Sequence, residues 1–240
     1  MRAPADPLRP PALDIALRPD ARILLVRLSA IGDVVMASPL ARVLRDACPE
    51  GRLTWLVQRD CAAVAGMIPA VDRVLIWDRA EWGRLWRERR FRELQGAVRG
   101  LVRALRAERF ELALDTQGLL KSAIWARASG APVRVGLGSR EGSRHLVTHA
   151  LPRGGDAALI GSEYRFLAQA LGLPLGSFRM ELRPPPEAQA AAAALLRRRL
   201  PDGPFAVLCP FTTRPQKHWV AQRWSALARR LHTELGLGVL

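Results

Sequence analysis

The sequence is poor in cysteine and has no long hydrophobic run. Its 240 residues include three cysteines, at the widely spaced positions Cys48, Cys61 and Cys209. An odd number at this spacing argues against a disulfide framework and against a zinc site, and it fits a reducing cytoplasm. No apolar stretch approaches the ~20 residues of a membrane-spanning helix. Residues 1–19 lack the apolar core of a signal peptide, so we expect a cytoplasmic protein that begins with a loose extension.

Lysine and aromatic residues are also scarce. Only Lys121 and Lys217 are lysines, although the formal net charge is +15, because nearly all basic residues are arginine. This charge predicts anionic partners, such as phosphorylated glycans, an acidic membrane face or nucleic acid. Aromatic residues make up 6% of the chain and are not interleaved with basic residues as in a platform that stacks single-stranded nucleic acid. Nucleic acid therefore ranks second, and we expect no specific nucleic-acid partner.

Short apolar runs alternate with helical patterns along the chain. The run at residues 23–26 is typical of a parallel strand covered on both faces, and similar runs follow it up to residue 137. This rhythm predicts an α/β fold with a parallel sheet. A change of composition from Pro174 through the prolines at 184–186 predicts a domain junction. The predicted organisation is a loose extension at 1–21, a Rossmann-like domain at 22–180, a linker and interdomain helix at 181–202, and the beginning of a second, incomplete Rossmann-like domain at 203–240.

The first strand is followed closely by an aspartate, Asp33. Ser38 is a good N-cap and Pro39 suits the first helical position, which predicts that the next helix begins there and that Asp33 lies in the turn before it. A carboxylate in that turn, at the C-terminal edge of a parallel sheet, can face a bound ligand. Taken alone, the Gly-Asp pair favours a simpler interpretation, a capping aspartate that accepts hydrogen bonds from local amides.

Two further polar turns follow predicted strands. One is at residues 115–118, and the other, at 211–217, opens the second domain. In the latter, Thr212, Thr213 and Lys217 offer two hydroxyls and an ammonium near a helix N-terminus, an arrangement suited to a phosphate or diphosphate. A solvated capping turn explains these residues equally well. The sequence has neither a Walker motif nor a dinucleotide-binding glycine pattern.

Three motifs in order give the chain a resemblance to a known family. They are Ser-Ala-Ile-Gly-Asp-Val at 29–34, Asp-Thr-Gln-Gly-Leu-Leu-Lys-Ser at 115–122, and Thr-Thr-Arg-Pro-Gln-Lys-His-Trp at 212–219. Together they resemble glycosyltransferase family 9. The resemblance implies a GT-B fold, with two Rossmann-like domains across a cleft, the acceptor bound mainly by the first and the nucleotide-sugar by the second.

The resemblance also implies an activity and a partner set. It implies an inverting transfer of heptose from ADP-heptose to a Kdo residue of Kdo-lipid A, without a metal or cofactor, by an enzyme that touches the cytoplasmic face of the inner membrane peripherally. Asp33 is then the base that takes the proton of the acceptor hydroxyl. Lys217, with Thr212 and Thr213, meets the charge that develops on the diphosphate.

An anionic acceptor requires cations in the first domain. The residues expected to bind it are Ser29, Gly32, Gln117, Lys121, Arg84, Arg87, Arg90, Arg140 and Arg144. For the cluster at 84–90, a solvated helical face is an equal alternative, since arginine is abundant throughout. The aromatic residues Trp82, Trp86 and Phe91 either cover the sugar or reach the membrane surface, or, as is more common, belong to the core.

The sequence departs from the family in one respect. Family members continue through a second-domain motif with Asp-Thr-Gly and a histidine that surround the nucleotide, and the present sequence does not contain this region. We therefore expect a fragment of a heptosyltransferase that is a poor catalyst alone. The alternative is a non-catalytic protein that retains a domain for binding anionic glycans.

Overall fold

The computed structural model describes residues 9–200, 202–212 and 215–240. The chain divides into two compact units, one ending at Arg183 and the other beginning at Pro184.

The first unit is built on a six-stranded parallel sheet with the strand order β3-β2-β1-β4-β5-β6. The order reverses between β1 and β4, as in a doubly wound Rossmann-like domain. The strands are β1 Arg22–Val26, β2 Arg52–Gln58, β3 Arg73–Trp77, β4 Leu112–Asp115, β5 Val133–Leu137 and β6 His149–Leu151. The first five strands were predicted from their apolar runs, and β6 was not.

Helices cover both faces of this sheet. Ile23 and Leu25 of β1 belong to one hydrophobic core, and Leu24 and Val26 belong to the other. Because alternate side chains of a strand point to opposite faces, the uninterrupted apolar run of β1 is explained by burial on both sides, as predicted. The helices are α1 Ile31–Ala47, α2 Ala62–Gly66, α3 Arg79–Arg87, α4 Phe91–Ala107, α5 Leu120–Ala128 and α6 Ser162–Ala170.

The predicted start of α1 was wrong. The helix begins at Ile31 and not at Ser38, so Ser38 and Pro39 lie in its interior, where both are buried. Proline has no amide hydrogen to donate to the carbonyl four residues earlier. The Ser38 hydroxyl donates instead to the Val35 carbonyl oxygen, at 2.7 Å. The Ser-Pro pair thus partly repairs the hydrogen-bond ladder of a continuous helix, and Asp33 lies in the first turn of that helix.

The described residues of the second unit form two α-helices and a small parallel sheet. Pro186 occupies a first-turn position of α7, where a missing amide hydrogen costs nothing. The two short strands pair with Phe205 opposite Gly238. The apolar run at 205–209 forms a strand only over its first two residues. The elements are α7 Pro186–Arg199, β7 Phe205–Ala206, α8 Ala221–Leu235 and β8 Gly238–Val239. In the described parts of both units, no helix is long and apolar enough to cross a membrane.

Candidate active site

The candidate site lies at the C-terminal edge of the sheet, where β1 and β4 are neighbours. The strand order reverses at this point, which leaves a crevice in which Rossmann-like domains bind ligands. The loops that follow the two strands are joined directly. The Leu28 amide donates to Oε1 of Gln117 at 3.0 Å, and the Thr116 amide donates to the Val26 carbonyl at 3.1 Å.

Asp33 stands beside this crevice in the first turn of α1. Its Oδ2 accepts a hydrogen bond from the Ala30 amide at 3.1 Å and forms an ion pair with Nη2 of Arg27 at 2.6 Å. The carboxylate also lies near the positive end of the helix dipole. The capping interpretation is therefore correct for Oδ2, which accepts the Ala30 amide. It uses one carboxylate oxygen, and the side chain remains 37% exposed.

Arg27 is a site residue that the sequence analysis missed. It directly follows β1, and its side chain is only 8% exposed. Besides the ion pair with Asp33, its Nη1 donates to the Thr116 carbonyl at 2.9 Å. A charged group is rarely buried unless it is paired, so an arginine at the end of an apolar strand was the available signal. The abundance of arginine in this sequence concealed it.

Asp115, at the end of β4, shapes the second loop. Its Oδ1 accepts hydrogen bonds from the amides of Gln117 and Gly118, both at 3.1 Å. Its Oδ2 is buried without a hydrogen-bond partner in the described structure. Burial raises the pKa of this carboxyl from 3.8 to about 6, against the opposing effect of the Gly118 amide. Asp115 is thus a loop-forming residue in a desolvated position.

Gly118 joins the second loop to the loop after β5. Its φ is +70°, a conformation that favours glycine. A Cβ here would collide with the carbonyl oxygens of Leu137 and Gly138. The Gly118 carbonyl accepts hydrogen bonds from the Arg140 amide at 2.8 Å and from the Ser143 hydroxyl at 3.2 Å. Three consecutive strand ends are therefore held together in one edge.

Tyr164 contacts the main chain of Asp33. The ring is buried, and the hydroxyl lies 3.5 Å from the main-chain oxygen of Asp33. Burial raises the pKa of Tyr164 to about 12, so the buried ring carries a neutral hydroxyl. This contact was not predicted, because α6 and α1 are far apart in sequence.

The residues of these three loops that were predicted to bind the acceptor differ in exposure and in hydrogen-bond partners. Gln117 is 9% exposed, and its side-chain oxygen already accepts the Leu28 amide. Lys121 is half-buried in the first turn of α5, and no carboxylate of the described residues forms an ion pair with it. Arg140 and Arg144 are exposed in the loop after β5. Ser29 and Gly32 flank the start of α1. The binding role of each of these residues stays a prediction.

The arginine cluster lies on α3 and at its C-terminal end. Arg84 forms ion pairs with Glu81 and Glu88, at 2.6 and 3.0 Å. Arg90 pairs with Glu88 at 3.1 Å and with Glu93 at 2.5 Å. The Arg87 Nε donates to the Gly83 carbonyl at 3.2 Å. These side chains are exposed, and their paired arrangement is compatible with either a solvated face or acceptor binding.

The three aromatic residues of this region separate into two groups. Trp82 packs in the core against Trp77 and Trp125, with ring centroids 6.1 and 5.5 Å away. Trp86 is 65% exposed and Phe91 is 51% exposed, and their rings meet edge to face at 5.3 Å. The core interpretation is therefore correct for Trp82 and wrong for the other two.

The predicted phosphate-binding turn belongs to the second unit. Pro215–Lys217 forms one turn of 3-10 helix, and Lys217 is exposed. The ring of His218 lies 2.7 Å from the Thr212 carbonyl oxygen, as measured from Nε2. Thr213 lies outside the described residues. Within the described ranges, no group of three or more histidine, cysteine or acidic side chains could hold a metal ion.

The parallel sheet, its strand order and the loops at its C-terminal edge define an α/β protein of the Rossmann class. A model of glycosyltransferase family 9 (heptosyltransferase) matches residues 98–238. The chain therefore belongs to glycosyltransferase family 9, and the predicted family and GT-B fold class are confirmed.

Known relatives agree with this membership. Lipopolysaccharide heptosyltransferase 1 of Pseudomonas aeruginosa is 29% identical over 220 residues, which cover 88% of this chain and 58% of the relative. The protein of the same name from Escherichia coli K12 is 26% identical over 212 residues, or 86% of this chain and 63% of the relative. The chain thus spans about three fifths of the length of these curated relatives.

Solved structures share the fold. A family 9 glycosyltransferase from Veillonella parvula superposes with a TM-score of 0.75 at 18% identity, covering 95% of this chain and 63% of that one. The E. coli heptosyltransferase WaaC with ADP-2-deoxy-2-fluoro heptose superposes with a TM-score of 0.69 at 24% identity, covering 91% of this chain and 67% of that one.

Proposed function

We propose that this protein takes part in lipopolysaccharide inner-core synthesis as an inverting glycosyltransferase that moves heptose from ADP-heptose to a Kdo residue of Kdo-lipid A. Membership of family 9 and the similarity to proteins named lipopolysaccharide heptosyltransferase 1 support the reaction. The observation that carries the proposal is the position of Asp33. It combines a partly exposed carboxylate with a fixed location at the crevice between β1 and β4.

The chemistry requires a base at this place. The oxygen of an acceptor hydroxyl forms a bond to the anomeric carbon of heptose, while the bond between that carbon and the diphosphate oxygen breaks. The hydroxyl proton passes to Asp33, since a positioned general base accelerates such a transfer by about 10²- to 10⁴-fold. ADP departs with the electron pair of the broken bond.

The departing ADP needs stabilisation of its negative charge. We assign this role to Lys217 with Thr212 and Thr213, without a metal or cofactor. A cationic side chain and hydroxyls suit a diphosphate because they offer charge and hydrogen-bond donors to its oxygens.

The acceptor is anionic, and its carboxylates and phosphates need cationic partners. We assign Lys121, Arg140 and Arg144, with Ser29, Gly32 and Gln117, to the sugar end of the acceptor. Arg84, Arg87 and Arg90 are assigned to its more distant acidic groups. The exposed pair Trp86 and Phe91 beside these arginines supports peripheral contact with the cytoplasmic face of the inner membrane, since aromatic and cationic side chains both favour the interfacial region.

The reaction itself provides the test. The protein is incubated with ADP-heptose and Kdo-lipid A, and ADP release is measured together with the mass of the lipid product. Transfer of one heptose supports the proposal. The test is run on this chain and on a version that also carries the nucleotide-binding region of the family, and saturable binding of Kdo-lipid A without ADP release by both would favour the alternative, a non-catalytic protein that binds anionic glycans. Binding to DNA that Kdo-lipid A does not displace would favour a nucleic-acid partner instead.

A further inference from the structure

We propose that Arg27 is a positioning residue that holds the Asp33 carboxylate by one oxygen and leaves the other for the acceptor proton. This inference rests on the proposed function of Asp33 as the base. It concerns a different residue, one that was not part of the predicted site.

The guanidinium of Arg27 joins both sides of the crevice. Its Nη2 lies 2.6 Å from Oδ2 of Asp33, on the β1 side, and its Nη1 donates at 2.9 Å to the Thr116 carbonyl, on the β4 side. The planar guanidinium presents its donors in a fixed fork, so two partners define its orientation. Arg27 thereby holds the Asp33 carboxylate at a fixed position relative to the end of β4.

The two oxygens of Asp33 have different surroundings. Oδ2 receives both the Ala30 amide, at 3.1 Å, and the Arg27 guanidinium. Among the described residues, no donor forms a hydrogen bond with Oδ1. Since Oδ2 is occupied by two donors, Oδ1 is the oxygen that can accept a proton from a bound hydroxyl.

The two partners of this ion pair differ in exposure. Its side chain is 8% exposed and that of Asp33 is 37% exposed, so Arg27 depends on the ion pair for its solvation, whereas water and ligands reach Asp33. A buried charge is tolerated when it is paired and hydrogen-bonded. The interaction therefore stabilises one orientation of Asp33 and keeps the carboxylate accessible from the crevice.

The effect on catalysis follows from the precision that proton transfer requires. A misplacement of about 1 Å in a catalytic group costs about 10²-fold in rate. In Arg27→Gln the side chain is shorter and neutral, so the ion pair with Asp33 is lost. We expect kcat to fall by about 100-fold, with the KM values of ADP-heptose and acceptor changed by less than about threefold. Arg27→Lys retains a cation for Asp33 and should recover most of the lost kcat.

A matched control separates positioning from general structural support. Arg45 lies on the same helix as Asp33, is partly buried, and pairs with Asp72 at the opposite end of α1. Arg45→Gln also removes an ion pair of α1, but it does not touch the crevice, so its kcat should stay near that of the wild type. Equal loss of kcat in Arg27→Gln and Arg45→Gln would overturn the positioning role.

A second measurement does not need turnover. The Ala30 amide is hydrogen-bonded to Oδ2 of Asp33, so its hydrogen exchange, followed by NMR, reports how firmly the carboxylate is held. In Arg27→Gln we expect this amide to exchange about tenfold faster, while amides of β1 keep their protection. Wild-type exchange at Ala30 would overturn the proposal.

The two measurements distinguish the possible failures. If neither this chain nor the version with the nucleotide-binding region transfers heptose, the proposed function fails, and the exchange of the Ala30 amide still decides whether Arg27 holds Asp33. If transfer occurs and Arg27→Gln retains wild-type kcat, the positioning role fails alone. Should Arg27→Gln not fold, Arg27→Met is measured against the same two criteria.

Discussion

The Nη2 of Arg27 lies 2.6 Å from Oδ2 of Asp33, so the candidate base is also the counter-ion of a buried cation. A substitution at Asp33 therefore acts on two properties at once. It removes the proton acceptor, and it leaves the Arg27 guanidinium without a carboxylate. Experiments at this position must measure folding and transfer separately.

The first prediction concerns Asp33→Asn. The amide keeps the shape of the side chain and can still accept from the Ala30 amide, but it cannot take up a proton from the acceptor at neutral pH. We expect transfer to fall by about 10²- to 10⁴-fold, with the affinity for ADP-heptose nearly unchanged. Rates of ADP release and calorimetric titration with ADP-heptose check the two parts.

The stability of this variant should also fall, by about 1–2 kcal/mol. Removing one partner of a fully buried pair costs more, about 3–5 kcal/mol, but water can reach the partly exposed position of Asp33. Asp46→Asn is the control, because Asp46 forms an ion pair with Arg42 on the same helix, at 3.1 Å. Transfer by Asp33→Asn at more than a tenth of the wild-type rate would remove Asp33 as the base.

The sequence predicted the strands of the first unit better than the helix that carries the site. The strands are short apolar runs between polar turns, and burial on both faces leaves few alternatives for such runs. The start of α1 was missed because Ser38 and Pro39 are favourable at a helix start, whereas here they are tolerated inside the helix, where the serine hydroxyl bonds the carbonyl that proline cannot reach. The strand β6 has only three residues, too few for a periodic pattern.

The candidate site was also predicted only in part, because some of its contacts join residues that are distant in sequence. Asp33 belongs to a local motif that the sequence displays. The role of Arg27 depends on Thr116, which β4 brings alongside β1 from 89 positions away. The local sequence shows only that Arg27 follows an apolar strand, and it does not identify the partners of the guanidinium. Its burial is a property of the folded sheet edge.

The second prediction concerns Lys217→Ala. If the ammonium meets the diphosphate, its loss removes a charge-assisted hydrogen bond of about 1.5–3 kcal/mol, and the Kd for ADP should rise by about 10- to 100-fold. Because the interaction is electrostatic, the Kd values of wild type and variant for ADP should differ less at high salt. Titration with ADP at two salt concentrations measures both effects.

The matched control for Lys217 is Arg223→Ala, which removes a cation from the exposed first part of α8. It lowers the net charge by the same amount, so a general electrostatic attraction of ADP would weaken equally in both variants. An unchanged Kd in Lys217→Ala, or equal changes in the two variants, would count against a specific phosphate contact.

The third prediction separates the two interpretations of the arginine cluster. In the triple variant Arg84→Gln, Arg87→Gln, Arg90→Gln, the acceptor KM should rise by about tenfold or more, while the KM of ADP-heptose stays constant. The thermal stability should change little, since solvent and salt screen ion pairs between exposed side chains. Steady-state kinetics and thermal melting provide the readouts.

The control for the cluster removes arginines that lie further along α4. Arg99 and Arg103 are exposed there, and Arg99→Gln, Arg103→Gln should leave the acceptor KM close to that of the wild type. If neither variant changes the acceptor KM, the cluster at 84–90 is a solvated helical face.

The fourth prediction uses the buried carboxyl of Asp115. Burial raises its pKa from 3.8 to about 6, so the folded state holds a proton that the unfolded state has released between these two pH values. The contribution of Asp115 to stability should then fall as the pH rises from about 4 to about 6, by an amount of order 2–3 kcal/mol, and should change no further above that range. This is the opposite of an aspartate in an ion pair, whose folded pKa is lowered.

Asp115→Asn removes this dependence. The amide oxygen can still accept from the amides of Gln117 and Gly118, so the loop is retained, and the neutral side chain has no charge to desolvate. The stability of the variant relative to wild type should therefore increase between pH 4 and pH 7, as measured by urea unfolding of both proteins at each pH. Asp14→Asn, at an exposed carboxylate, is the control and should show no such increase. A stability difference independent of pH would mean that Asp115 is ionised in the folded protein throughout this range, with the buried Arg27 as the nearby cation that offsets its charge.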